Sequence, residues 1–572
     1  MKKLILLLII LLFSAIVFAE ESFYPTTIGK LNAEAKLDGN GTITGLKEGE
    51  EVKFQTLTFQ ESSFQTIQVI KEALYINGKT IYPKYVLDEF GNKYVSFIIT
   101  ENGNFNYELI ADVSTTSLIS AMSDYNLTTP DEKVKLYTEP SEKVESGSTE
   151  IQTVSKNKLI TNSFLDSLNK TIIWVNDYVE YAQGDDFYKY YVLQRSATET
   201  LLSKKGVCDE FANLGAGLLR AKGIPTRLAI GITFDGKAWG NHAWIEVYHE
   251  KFGWIPSDPT FRESGFVDAT HIKMGSFSDV TLSLAKAYFP TTSSVSFYTQ
   301  TMPQIEIKSK EYFNTVELTS STNELKANKW NDISLTVTNK SNSTVTTPIS
   351  IKESYSELIV QEKKKSIILN PGESKTILFK IFPNLDLNAN QIAKGTITFN
   401  SLSTPYQKEI TINPGINSDL GEVIVNDITP IAHEGKLQIQ VITTNFYPTE
   451  KTIDLNIFSD SFKSNTSETL PGFSSKTILK DIEDYNSDIY YVTVTTPTNI
   501  FTQTIVPEKQ KIIIAPEPLV KETVIEQKIQ NDGKQPEIGE TIAENPIILV
   551  VALLLGVAIV LLGLFWVNKR YV

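Results

Sequence analysis

The chain contains one cysteine and four histidines, so any chemistry that needs a thiol or an imidazole has few places to occur. Cys208 follows Gly206 and Val207 at the junction of two helical patterns, which sets its sulfur near unpaired backbone N–H groups and the positive end of a helix dipole. That position predicts a lowered thiol pKa. The plain alternative for a lone cysteine is a small buried hydrophobe. His242 opens the run His242 to Tyr248, in which alternation places His242, Trp244, Glu246 and Tyr248 on one face and Ala243, Ile245 and Val247 on an aliphatic core face. A histidine at a strand start can reach a neighbouring helix terminus, although an edge-strand polar residue looks the same in sequence. Asp258 precedes Pro259, which biases it toward an extended backbone. Glu246 is a rival carboxylate, but four strand residues place it about 13 Å from His242, too far for a hydrogen bond. Asp209 and Glu210 adjoin the cysteine, where a carboxylate opposes thiolate formation.

Together these groups suit acyl transfer. A thiolate attacks an amide carbonyl, an imidazole takes the thiol proton and returns it to the leaving amine, and a carboxylate fixes the imidazole tautomer. Backbone N–H groups at the helix start, that of Cys208 first, would hold the oxyanion.

The elements that must position them are three helices and three strands. Apolar residues recur at helical spacing over Ser163–Ala182; Ser196 and Glu199 form a capping box for a second helix to Lys205; a third runs from Cys208 to Gly223, with Pro225 beyond. Strand-like runs follow at Thr226–Thr233, His242–Tyr248 and Gly253–Asp258, so helices precede strands in an α+β layer.

Four blocks in this order, Gly206 to Ala212, Leu219 to Arg227, His242 to Val247, and Gly253-Trp254 with Asp258-Pro259-Thr260, resemble the transglutaminase-like superfamily over roughly residues 160–275. The resemblance implies a papain-like core with a catalytic triad of Cys208, His242 and Asp258, and a cysteine peptidase or amidase, or an acyltransferase to amines. A peptidase or amidase is favoured, with protein or peptide as substrate. A membrane-tethered adhesion or envelope-binding protein is the non-enzymatic alternative. Trp239, Asn241 and Trp244 are candidates for the substrate cleft, although buried tryptophans are the commoner outcome. No cofactor is expected: His249, His271 and His433 lack metal-ligand spacing, and no EF-hand-like loop is present.

The chain is too long, at 572 residues, for one core. Residues 1–19 read as a cleaved signal peptide, and residues 20–155 as an N-terminal β-rich domain. The thiol domain is expected over 160–300. Two Ig-like β-sandwiches are expected over 305–415 and 418–506, related by the repeated turn Pro371-Gly372 and Pro471-Gly472. A stalk over 507–545, an apolar run at 546–567 long enough for a transmembrane helix, and a cytoplasmic tail at 568–572 follow. These ends predict a single-pass protein of the cell membrane, its catalytic and Ig-like domains outside, meeting its substrate at the surface or envelope. A formal charge of −14 argues against nucleic acid as partner.

Overall fold

The computed structural model describes residues 25–508, apart from 118, 120–124, 280–283, 300–302, 416–420, 484 and 486–487. The expected signal peptide, the stalk from 509 onward, the transmembrane run and the tail lie outside the described residues.

The helices cluster where the thiol chemistry was expected. Apart from the single turn Glu132–Lys135, the described α-helices are α1 (Thr149–Lys158), α2 (Phe164–Tyr178), α3 (Asp185–Leu193), α4 (Ala197–Ser203) and α5 (Cys208–Ala221). Their starts follow from local capping: the Ser163 hydroxyl accepts the Asp166 N–H, and Ser196 and Glu199 form a reciprocal capping box. Helix α5 ends before Gly223, whose φ of 81° suits a residue without Cβ. An antiparallel sheet follows, with strands β1 (Thr226–Phe234), β2 (Trp239–His249), β3 (Gly253–Ser257) and β4 (Ile272–Phe277) in the order β3-β2-β1-β4.

Helix α5 is buried on both sides. Ala212, Ala216 and Leu219 pack with Ala243, Ile245 and Val247 of β2, while Phe211, Leu214 and Leu218 pack with Ile151, Val175 and Leu201 of the other helices. Each large side chain buried in this way contributes about 1.5–3 kcal/mol, so the start of α5 is firmly anchored. Alternation on β2 therefore separates two buried faces: the aliphatic one meets α5, and Trp244 on the other packs with Ala229 and Val267.

The N-terminal strands do not form a unit that ends at 155. Ser294–Thr299 and Gln304–Tyr312 pair with Ile28–Thr44, and Ala285–Tyr288 pairs with Val52–Leu57. Phe54, Phe97 and Phe105 share one continuous core with Ala212 and Ile245. The chain thus leaves the thiol domain before residue 300 and returns to the first sheets. Residues 316–413 and 423–505 each form two sheets over one core. They share a device: the Asn339 amide donates to the Leu369 and Asn370 carbonyls, as that of Asn445 does to Leu470 and Pro471.

The expected fold class, an α+β papain-like core with β-rich flanks and a transmembrane helix, is corrected in two respects. Strand makes up 52% of the structure and helix 14%, so the molecule is mostly β, its helices concentrated over 149–221. Among the described residues, no helix is long and apolar enough to cross a membrane. The longest, α2, has 15 residues and carries Asp166, Lys170 and Asp177, whereas a span needs about 20 apolar residues. The single-pass location at a cell membrane therefore has no described helix to rest on.

Candidate active site

Two close approaches build the site. At Gly206 a Cβ would lie 2.3 Å from Glu210 Cβ, so only glycine lets the chain pass over the first turn of α5. The buried Glu210 side chain accepts the N–H groups of Val207 and Arg195, at 2.8 and 2.7 Å, which ties two loops to the turn bearing Cys208. Burial, with the charge of Asp209 adding to it, pushes Glu210 up to about 7. At Gly231, paired with His242, a Cβ would meet the Ile272 carbonyl at 2.0 Å, so glycine admits β4 against the histidine's strand.

His242 and Asp258 meet as their types require. His242 Nε2 lies 2.8 Å from Asp258 Oδ2, and both residues are buried. The Thr260 N–H donates to Asp258 Oδ1 at 2.6 Å, and the Asn176 amide of α2 holds the Pro259 and Thr260 carbonyls at 2.9 and 2.8 Å. The His242 ring lies between those of Phe261 and Trp244, with centroids 5.1 and 6.1 Å away and planes within 20° of parallel. Burial alone would raise Asp258, but His242 and His271 more than offset it and hold the carboxyl well below the usual range. The carboxylate is therefore an acceptor, His242 Nε2 carries a hydrogen, and Nδ1 is the ring nitrogen left to act as base.

Cys208 is the first residue of α5 and only 5% exposed. Its sulfur lies 3.7 Å from Asp209 Oδ1 and feels the backbone of Ala243, next in chain to His242. Burial first, then the charges of Asp209, Glu210 and Asp258, push the thiol well up, against the effect of the Ala243 backbone. The lowered thiol expected at a helix start is thus corrected, because the helix end acts against burial and the carboxylate beside it. Burial pushes Asp209 itself up to about 6, opposed by Cys208 and His242. Replacing Asp209 by Asn is expected to speed alkylation of Cys208 by iodoacetamide at pH 7 on the order of tenfold, by removing the nearest negative charge. Equal or slower alkylation would show that burial alone sets the thiol.

The other sequence candidates divide. The Asn241 amide donates to the Tyr191 hydroxyl at 3.3 Å, and that tyrosine, raised first by burial, also feels the charges of Asp209 and Cys208. Asn241 is thus tied to a tyrosine within electrostatic reach of the thiol. Trp239 is half-buried against Phe234, with centroids 5.5 Å apart. Trp244 is fully buried and stacks on His242. Glu246 is occupied by Arg227 at 2.7 Å and Lys273 at 2.5 Å; burial would raise it, and these cations bring it down to about 2.

Sequence reasoning missed α3 and His271. Helix α3 is nine residues rich in aromatics, too short for a clear helical period, and His271 lies 13 residues beyond Asp258 in a loop without a repeating pattern. Among the described residues, two buried groups have the donor atoms for a metal ion, His242, Asp258 and His271, and Glu263, Asp268 and His271.

Residues 155–259 match the model of the transglutaminase-like superfamily. The uncharacterized protein YebA of Bacillus subtilis (strain 168) is 36% identical over 72 residues, covering 10% of each protein, so the chain spans about a tenth of that relative's length. Among solved structures, a "Putative Cysteine Protease" from Cytophaga hutchinsonii is 20% identical with a TM-score of 0.34, over 49% of this chain and all of that one. Red sea bream transglutaminase is 9% identical with a TM-score of 0.19, over 81% of this chain and 96% of that one. The matched segment contains Cys208, His242 and Asp258, and residues 155–259 are a domain of the transglutaminase-like superfamily.

Proposed function

We propose that the chain is a thiol enzyme that hydrolyses peptide or side-chain amide bonds through an acyl-enzyme on Cys208. The observation that carries this reading is the buried hydrogen bond from His242 Nε2 to Asp258 Oδ2, made on the strand whose aliphatic face packs on α5, the helix that Cys208 begins. His242 Nδ1 takes the thiol proton as Sγ bonds to the amide carbon, and Asp258 stabilises the imidazolium. The Cys208 N–H at the start of α5 is the donor for the oxyanion. Collapse of the tetrahedral intermediate breaks the C–N bond, and the imidazolium gives its proton to the leaving amine. Water, deprotonated by His242, then attacks the thioester, and the acid and the free thiol are released. Water is the assigned acceptor because it needs no binding groove of its own.

A raised thiol fits this scheme. The thiol keeps its proton at rest, and the proton moves as the carbonyl is attacked instead of beforehand. His242→Ala is expected to slow acylation of Cys208 by an activated peptide ester about 100-fold or more, measured as the mass of the modified protein over time. Equal rates in the two proteins would end the thiol-enzyme reading. In the parent protein a primary amine added with the ester should leave free acid as the main product. Predominant amide formation would overturn hydrolysis while leaving the thiol chemistry intact.

A further inference from the structure

His271 has no part in those steps, yet it lies directly behind them. It is fully buried, and its Nε2 is 3.2 Å from Asp258 Oδ2, the same oxygen that meets His242. Its Nδ1 is 3.2 Å from the Asp268 carbonyl and 3.7 Å from Asp268 Oδ1. A carbonyl and the ionised carboxylate of Asp258 only accept hydrogen bonds, so a ring that faces them with its two nitrogens carries a hydrogen on each. Such a ring is an imidazolium, with no lone pair for a metal ion.

We infer that His271 is a positioning residue, a buried cation whose hydrogen bond to Asp258 Oδ2 keeps that carboxylate ionised and aimed at His242. The inference rests on the thiol-enzyme reading. Asp258 is wholly removed from water, and a buried carboxylate without a cation takes up a proton. His242 must be neutral before each attack, so at that moment it does not supply the charge. His271 does so throughout the cycle. The groups facing it are the carboxyl groups of Asp258, Asp268 and Glu263 and the rings of His242, Trp244 and Phe261, the rings at 5.5, 5.1 and 5.7 Å. Burial opposes its charge, but Asp268 and Asp258 reverse that effect and leave His271 well above the ordinary histidine range, while burial and the charge of Asp268 push the neighbouring Glu263 carboxyl well up, so that it favours the neutral form.

The chain has only four histidines, so ring-nitrogen NMR of the full protein labelled with 15N-histidine can resolve them. One histidine should remain protonated on both nitrogens at pH 8, and its signal should be absent from His271→Gln. If that variant does not fold, His249→Gln, His433→Gln and His242→Ala assign the same signal by elimination. A neutral ring at position 271 overturns the proposal. In kinetics, His271→Gln should lower kcat on the order of tenfold or more with KM unchanged, a loss of the size seen when the partner behind a functional group is removed. The acid limb of its kcat/KM profile should move to higher pH. The sign follows from Asp258: its pKa is held down by cations, losing one raises it, and the active carboxylate form is lost earlier as pH falls. An unmoved acid limb with a lowered Tm would mean a merely structural role and would overturn the proposal. The NMR signature does not depend on turnover, so an unreactive Cys208 with a cationic His271 would sink the thiol-enzyme reading alone.

Discussion

Cys208→Ala is expected to leave the fold intact and to abolish covalent turnover, with kcat falling by at least about 10,000-fold. The two halves of this result have separate causes. The side chain is buried among Ala212, Ala243 and their neighbours, and exchanging a thiol for hydrogen opens a cavity smaller than a methylene, at a cost of about 1 kcal/mol. Tm should therefore move by a few degrees at most. The chemistry has no substitute, because the chain contains no other cysteine. Mass spectrometry of the protein after exposure to the activated peptide ester gives the test: the parent gains one acyl group and the variant none. Acylation or turnover retained in the variant would remove Cys208 from the reaction, and a parent protein that is never acylated would favour a binding role for the whole domain.

The parts of this site legible in the sequence are those set by neighbours in the chain. The Ser196 and Glu199 box, the helix opening at Cys208 and the stop at Gly223 depend on residues within a few positions, and the structure has α4 and α5 within two residues of those limits. Alternation on β2 correctly separated His242 from the aliphatic face. It failed to show that the second face is buried as well, because the cover over Trp244 comes from Val267, more than twenty residues on. The charge on the thiol was misread for a related reason. A helix start is visible locally, whereas burial in the shared core and the direction of the Asp209 side chain are not. His271 was invisible because its role comes from a loop that folds back onto Asp258, and no spacing rule links the two. The largest departure, the return of residues 285–312 to the N-terminal sheets, joins strands more than 200 positions apart, as in the pairing of Ala285 with Thr56. Short alternating strands carry no mark of their partners, so such pairings are decided by packing alone.

Asp258→Asn should reduce kcat about 10,000-fold while the site keeps its shape, and the cause is a tautomer. Asparagine fills the same volume, but one carboxylate oxygen becomes an NH2 group. The Thr260 N–H needs an acceptor at the Oδ1 position, so the amide oxygen must stay there and the NH2 falls where Oδ2 was. It then faces Nε2 of both His242 and His271, which can meet it only as acceptors. His242 is driven to carry its hydrogen on Nδ1, and a protonated Nδ1 cannot accept the proton of Cys208. His271 loses its second hydrogen and with it the cation behind the triad. The thiol must then ionise without help, so the residual rate should rise about tenfold for each pH unit over a range where the parent rate is flat. In the NMR experiment the doubly protonated histidine should disappear from the same variant. A variant that keeps the parent pH profile, or loses less than about tenfold in kcat, would show that Asp258 neither orients His242 nor holds its charge, and the mechanism would need another carboxylate.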